Sequence, residues 1–164
     1  MALVSFEAGA QMSMVKPMQF GIAAGAAIPL SDFADFVSTG FNGTVTAALS
    51  PALIPLGIRI DGAYNQFGFK GGGEHARIIS VTGNFVYKIP AATVSPYAIG
   101  GAGWYNEGTS VSGDQSTNNF GWNLGGGIML PLSGFQTFIE ARYNQVQETG
   151  GSTKFVPITF GIMF

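Results

Sequence analysis

Apolar and polar residues alternate with a period of two along almost the whole of this 164-residue chain. Successive side chains of a β-strand point to opposite faces, so this alternation predicts strands with one apolar and one polar face. We identify eight such strands, separated by segments rich in Gly, Pro, Ser and Asp. Their predicted ranges are 18–30, 41–50, 54–66, 77–89, 95–106, 119–132, 135–145 and 154–164.

In the middle of these strands, charged residues avoid the apolar face. Only 10% of the residues are charged, whereas soluble domains average about 25%. Four charges fall in the middle of predicted strands, all with the polar parity: Arg59, Asp61, Glu140 and Arg142. A Lys or Arg on the lipid face of a membrane strand costs about 2–4 kcal/mol at the bilayer midplane. The distribution therefore indicates that the apolar face contacts hydrocarbon.

A helical membrane span does not fit the sequence. The longest apolar run covers residues 20–30 and contains Pro29, which is too short for the ~20 residues that a spanning helix needs. A soluble barrel with its apolar face inward would expose a polar face that is unusually rich in Gly and poor in charge. We therefore predict an all-β fold, an eight-stranded antiparallel up-and-down transmembrane β-barrel over residues 18–164, preceded by a strand-like N-terminal extension over residues 1–17.

The predicted connectors alternate in length and composition. Those over 31–40, 67–76, 107–117 and 148–153 are polar, while those around Pro51, 90–94 and 133–134 are short and contain Pro or Gly. Bacterial outer-membrane barrels have an even number of strands, long outer loops and tight turns at the other end. The connectors of this sequence alternate in the same order, which predicts that the polar ones are outer loops and the short ones are turns at the opposite end.

Aromatic residues of the predicted apolar face gather near the strand ends, which is typical of two membrane–water interfaces. On the fifth strand this face is predicted to carry Ile99 as well as two tyrosines. The expected aromatic girdles contain Phe41, Tyr64, Tyr105, Trp122 and Tyr143 at the loop end and Phe20, Tyr87 and Tyr97 at the turn end.

The four mid-strand charges lie on the third and seventh strands, which face each other across an eight-stranded barrel. The interior of such a barrel is just wide enough for side chains to fill. We therefore predict that Arg59, Asp61, Glu140 and Arg142 form a buried charge cluster that plugs the lumen, with opposite charges compensating each other. The alternative is an ion path or a gate.

Two stretches resemble the small eight-stranded outer-membrane β-barrel superfamily, the opacity-type and surface-antigen-like porin-fold proteins. Residues 20–33 (FGIAAGAAIPLSDF) resemble the family's first strand and its exit into loop one, and residues 155–164 (FVPITFGIMF) resemble its closing strand. The resemblance implies a bacterial outer-membrane location. It also implies that Phe160, Ile162 and Phe164 form the C-terminal signal read by the assembly machinery.

The N-terminal extension departs from that pattern because residues 3–14 also alternate. One parity carries Phe6, Ala8, Ala10, Met12 and Met14. A ninth strand would break the even count of a single-chain barrel. The segment is expected either to form a periplasmic tail or enter the lumen, or to add to a neighbouring molecule. Head-to-tail addition would give an oligomer or filament, and the location would then be an extracellular assembly.

The sequence offers little for catalysis. Cysteine is absent and net charge is −2 without a basic patch, so thiolate metal sites and nucleic acid are not expected. His75 is the only histidine, and the glycines at 100–103 and 125–127 are not followed by a helix, as a nucleotide-binding motif requires. We expect no catalytic residues, metal, cofactor or small-molecule substrate. The expected partner is the lipid bilayer.

Three function classes follow in order of preference. The first is a non-enzymatic outer-membrane protein with a structural or surface-contact role through its loops. The second is a self-assembling subunit joined through residues 1–16. The third is a lipid-modifying enzyme with its site at the barrel rim, which would need His75 with a nucleophile and an acid.

Overall fold

The computed structural model describes residues 18–51, 53–91, 93–110 and 115–164. Eight strands and one short helix account for most of them. The elements are β1 (Met18–Leu30), α1 (Asp32–Phe36), β2 (Gly40–Leu49), β3 (Leu56–Gly68), β4 (His75–Lys88), β5 (Ser95–Thr109), β6 (Gln115–Leu132), β7 (Phe135–Glu148) and β8 (Gly151–Met163).

Each strand pairs with the next in antiparallel fashion, and β1 pairs with β8 to close the barrel. Ile22 of β1, for example, lies opposite Val45 on β2 and Ile162 on β8. The predicted fold class is confirmed. Among the described residues, no helix is both long and apolar enough to cross a membrane.

The two ends of the barrel differ, and we refer to them by their connectors. The loop end carries α1 and the connectors after β1, β3, β5 and β7, and the turn end carries the other three. Gly134 in the β6–β7 turn and Gly150 in the β7–β8 turn have φ values of 91° and 92°. Residues with a Cβ rarely adopt this backbone conformation, so glycine permits these tight turns.

The strands are longer at the loop end than the sequence predicts. β5 runs to Thr109 and β6 begins at Gln115, and only Thr149 and Gly150 separate β7 from β8. The predicted connectors 107–117 and 148–153 are therefore mostly strand. Their polar composition resembles that of a loop, but polar side chains do not prevent strand pairing where the strands extend beyond the hydrocarbon layer.

Seven strands present the predicted faces. Their apolar parity is turned outward and includes exposed residues such as Ile22, Ile58, Val81 and Leu124, while the opposite parity is buried inside. This arrangement requires a barrel whose outer surface meets lipid, because 26 large hydrophobic side chains are exposed on the described residues.

The predicted face of β5 is wrong. Tyr97, Ile99 and Tyr105 are 4%, 1% and 0% exposed and lie inside the barrel, whereas Trp104 points outward and is 45% exposed. Tyr97 and Tyr105 are consequently not girdle residues. The middle of this strand is Gly-Gly-Ala-Gly (100–103), so its hydropathy does not indicate which face points inward. The tyrosine hydroxyls have buried hydrogen-bond partners inside the barrel, which favours the inward position.

Candidate functional site in the barrel lumen

The four mid-strand charges meet at the centre of the lumen. Arg59 Nη2 lies 2.8 Å from Glu140 Oε1, and Arg142 Nη1 lies 2.8 Å from Asp61 Oδ2, both across the barrel. Each arginine also pairs with the acid on its own strand, Arg59 with Asp61 at 3.0 Å and Arg142 with Glu140. The result is a ring of ion pairs without net charge.

The strands dictate this geometry. Arg59 and Asp61 are two residues apart on β3, and Glu140 and Arg142 are two apart on β7, so each pair shares the inward face of its strand. The four residues are 3%, 2%, 4% and 8% exposed in the order of their numbers. At this depth each charge needs its partner, because removing one member of a buried ion pair leaves an uncompensated charge.

Neutral side chains complete the hydrogen bonding of the two acids. Asp61 accepts hydrogen bonds from Thr46 Oγ1 and from Asn84 Nδ2, the latter at 3.0 Å. Glu140 accepts one from the Tyr97 hydroxyl at 2.7 Å. The sequence pattern alone does not assign Thr46 or Asn84 to the cluster, and it predicts that Tyr97 lies on the outer face.

Two glycines of β6 make room for the inward tyrosines. A Cβ on Gly127 would lie 2.6 Å from the Tyr97 hydroxyl, and a Cβ on Gly121 would lie 2.7 Å from the Tyr105 ring. Tyr105 in turn donates to Asn144 Oδ1 at 2.9 Å. The inward glycines of β6 are thus the sequence signal that could have predicted the inward position of Tyr97 and Tyr105 on β5.

Apolar layers lie on both sides of the charge ring. The layer at the loop end contains Ala27, Val37, Phe67, Ala76, Ile78, Tyr105, Val146 and Phe155, with Phe33 and Phe69 packed against it. The layer at the turn end contains Ala48, Val86, Tyr97, Ile99, Met129, Phe138 and Met163. The cavity beside the charge ring is only about 30 Å³, far below the roughly 300 Å³ at which ligand pockets begin.

The remaining girdle residues are on outward-facing positions. At the loop end the rings of Phe41 and Tyr64 lie 5.9 Å apart and those of Trp122 and Tyr143 lie 5.5 Å apart. At the turn end Phe20 and Tyr87 are each about half exposed. The structure therefore brings six of the eight expected residues to the outer surface, in two groups.

The chain terminus completes the outer face of β8. Phe160 and Phe164 are exposed, and Ile162 lies opposite the exposed Ile22. Phe164 and Phe20 exchange two backbone hydrogen bonds of 2.8 and 3.0 Å, which extend the closing ladder to the last residue. The five intersubunit candidates Phe6, Ala8, Ala10, Met12 and Met14 lie outside the described residues.

His75 lies at the rim of the barrel, where it begins β4. Its described hydrogen bonds with the Ser110 hydroxyl use the backbone of His75: the His75 N–H donates to Ser110 Oγ at 2.9 Å, and that hydroxyl donates to the His75 carbonyl at 3.2 Å. Within the described ranges, no group of three or more His, Cys, Asp or Glu residues is placed to hold a metal ion.

Comparisons with known proteins agree with this architecture. A family model described as an outer membrane protein beta-barrel domain matches residues 1–164. Neisserial surface protein A is similar in structure, with 14% identity, a TM-score of 0.76 and coverage of 90% of this chain and 96% of that one. No curated protein matches the chain.

Two further solved structures show the range of proteins with this fold. Ail, the attachment invasion locus protein of Yersinia pestis, was solved with the heparin analogue sucrose octasulfate; it shares 20% identity at a TM-score of 0.53, covering 90% of this chain and 99% of that one. The outer membrane enzyme PagL shares 16% identity at a TM-score of 0.52, covering 89% and 98%. At these identities the likeness concerns the fold.

Proposed function

This chain belongs to the outer membrane protein β-barrel family and resides in the bacterial outer membrane, and on that premise we propose that it is a non-enzymatic barrel with a plugged lumen. Its role is structural or one of surface contact through the loop end. The observation that carries the proposal is the filled interior, in which a neutral ring of four charges lies between two apolar layers.

A filled lumen opposes permeation in two ways. The cavity beside the charges is only about 30 Å³, so a hydrated ion would have to displace side chains. Those side chains include Phe67 at the loop end and Phe138 at the turn end, both at most 2% exposed. Separating the ion pairs between them would leave uncompensated buried charge.

Conductance in planar bilayers tests the plug. The wild-type protein should show no steady open pore. A quadruple variant that removes one large side chain from each layer and one facing ion pair should conduct. It keeps the net charge, and its substitutions are Phe67→Ala, Phe138→Ala, Arg59→Ala and Glu140→Ala. Phe41→Ala, which removes an outward ring, should not conduct. A steady wild-type pore would overturn the plug.

The outward aromatics support the placement in the membrane. We assign Phe41, Tyr64, Trp122 and Tyr143 to the interface at the loop end and Phe20 and Tyr87 to the opposite interface, because aromatic rings prefer the headgroup level. Phe160, Ile162 and Phe164 are assigned to the C-terminal assembly signal. Their substitution by serine should lower insertion in cells and leave refolding in detergent largely intact.

A rim-sited enzyme is the least favoured class. PagL is an outer membrane enzyme with the same fold, so the fold alone does not exclude an enzyme, and His75 is the residue to test. Its described contacts with Ser110 use backbone atoms and leave no acid–base relay. The purified protein should therefore show no activity on lipid, and a lipid-modifying activity that is lost in His75→Ala would favour the enzyme.

Self-assembly through residues 1–16 is the second candidate. It is supported by the alternation of residues 3–14 and by the closure of the sheet, because pairing of β1 with β8 leaves no place for a ninth strand beside β1. Deletion of residues 1–16 should abolish oligomers or fibres in electron micrographs while the barrel still folds. Unchanged particles in both forms would exclude this candidate.

A further inference from the structure

A cavity of about 450 Å³ opens at the loop end of the barrel. One side is apolar and is formed by Phe33 and Phe69 together with Ala76 and Ile78 of β4. Ligand pockets fall between roughly 300 and 1,000 Å³ and combine apolar walls with a few polar groups. The cavity has the size and the mixed lining of such a pocket.

The polar side includes two carboxylates. Glu107 comes from β5 and Glu148 from the end of β7. Asn119 Nδ2 donates to Glu107 Oε2 at 2.9 Å, and the Thr153 hydroxyl donates to Glu148. These neighbours hold the two acids in place but carry no charge.

The carboxylates have no cationic partner in the part of the chain that the structure describes, where ion pairs are confined to the four lumen charges. Arg77 of β4 is the positively charged residue of the lining, and its guanidinium lies against Gly108, with Nε 3.0 Å from the position of a Cβ there. The acids therefore leave uncompensated negative charge beside aromatic rings.

This arrangement carries an energetic cost. Burial raises the pKa of the Glu107 carboxyl, a hydrogen bond from Asn119 opposes the rise, and the charge of Glu148 adds to it. The neighbouring outward residues Asn106 and Arg77 are polar, so this carboxyl lies beyond the hydrocarbon band. A carboxyl with a perturbed pKa in a cavity, without a structural ion pair, is typical of a binding site.

We propose that this cavity binds a small organic cation, an ammonium group attached to an apolar body. The ammonium contacts Glu107 and Glu148 from the cavity, because charge-assisted hydrogen bonds are stronger than those to neutral groups. The apolar body packs on Phe33 and Phe69, whose rings also attract cations. The inference rests on the proposed function, because the cavity faces the cell exterior only in a barrel with its loop end outside.

The apolar wall separates this ligand class from a metal ion. Calcium takes six to eight oxygen ligands, and it gains nothing from the aromatic side of the cavity. An ammonium with an aromatic or aliphatic substituent uses both sides. The ligand class therefore follows from the lining as a whole rather than from the two acids.

Isothermal titration calorimetry of the full chain in lipid nanodiscs tests the proposal, with 2-phenylethylammonium as the probe. We expect saturable binding, at least tenfold weaker binding of the neutral 2-phenylethanol, and at least a tenfold loss of amine affinity in Glu107→Gln/Glu148→Gln. Glu74→Gln removes a charge outside the lining and should stay within twofold of wild type. Phe33→Ala should weaken 2-phenylethylammonium more than methylammonium.

Several results would overturn the proposal: no saturable binding, equal binding of the alcohol, retained affinity in the double variant of a folded barrel, or an equal loss in Glu74→Gln. Calcium binding that depends on both glutamates, with no amine binding, would assign the site to a metal. The outcome is independent of the plug. A conducting wild type that binds the amine contradicts only the plugged lumen, and a closed barrel that does not bind it contradicts only this site.

Discussion

Replacing Arg59 by methionine removes one positive charge from the centre of the lumen and keeps much of the side-chain volume. Arg59 is 3% exposed and contacts Asp61 at 3.0 Å and Glu140 at 2.8 Å. The variant leaves two buried acids facing a single arginine. The substitution therefore converts a neutral cluster into one with a net charge of −1.

The expected cost follows from the contacts that remain. Two charges 4 Å apart attract by about 4 kcal/mol at an effective dielectric constant of 20, and removing one partner of a buried pair typically costs about 3–5 kcal/mol. Asp61 keeps its bonds from Thr46 and Asn84, and Glu140 keeps its bond from Tyr97. We therefore expect a value near the lower limit, about 3 kcal/mol.

A double-mutant cycle gives the decisive measurement. Glu140→Gln alone should also cost about 3 kcal/mol, because it leaves two arginines sharing Asp61. The double variant with Arg59→Met retains a neutral Asp61–Arg142 pair and should cost less than the sum of the two, by about 2 kcal/mol. The free energy of unfolding is measured by urea titration in lipid vesicles.

The control is Lys154→Met, which removes a charge at the outer rim and should change stability by less than about 0.5 kcal/mol. If the effects of Arg59→Met and Glu140→Gln add within about 0.5 kcal/mol, the two charges do not depend on each other. The interpretation of the cluster as a compensated ring would then be wrong.

Three further outcomes are expected in the same assay. Tyr97→Phe, which loses a bond to a buried carboxylate, should cost about 1.5–3 kcal/mol, whereas Tyr87→Phe on the outer face should cost little. Gly25→Ala should destabilise the barrel because its Cβ would lie 1.9 Å from the Ile158 carbonyl oxygen, whereas Gly43→Ala has nothing within 4 Å and should be tolerated. The raised pKa of Glu107 favours its protonated form in the folded state. Its contribution to the free energy of unfolding is therefore present below pH 4.5 and is lost as the pH rises through the folded pKa. Glu107→Gln should flatten this pH dependence and match the stability of the wild type at pH 4.

The architecture was predictable because two independent patterns agree on it. The alternation defines which residues share a face, and the parity of Arg59 and Glu140 fixes which face is inside. Since β3 and β7 oppose each other in an eight-stranded barrel, the sequence also predicts that these charges lie near one another. In the structure, Arg59 lies 2.8 Å from Glu140 and Arg142 lies 2.8 Å from Asp61.

The apolar layers were harder to predict because their residues violate the alternation. Phe67, Phe138 and Phe155 carry large rings on the inward parity, where the neighbouring positions are polar. Hydropathy alone does not distinguish such a ring from one that faces lipid. The glycine-rich centre of β5 adds to the difficulty, since it separates Ile99 from Tyr105 by residues without a clear preference.

The spacing of the lumen charges bears on how the chain enters a bilayer. Arg59 has a counter-ion two residues away in Asp61, and Arg142 has one at the same distance in Glu140. Each of the two strands can therefore be locally neutral before its distant partner arrives. An unpaired charge in hydrocarbon has a high free-energy cost. An ion pair within one strand would therefore lower the cost of inserting the hairpin that contains β3 or β7 before the barrel closes.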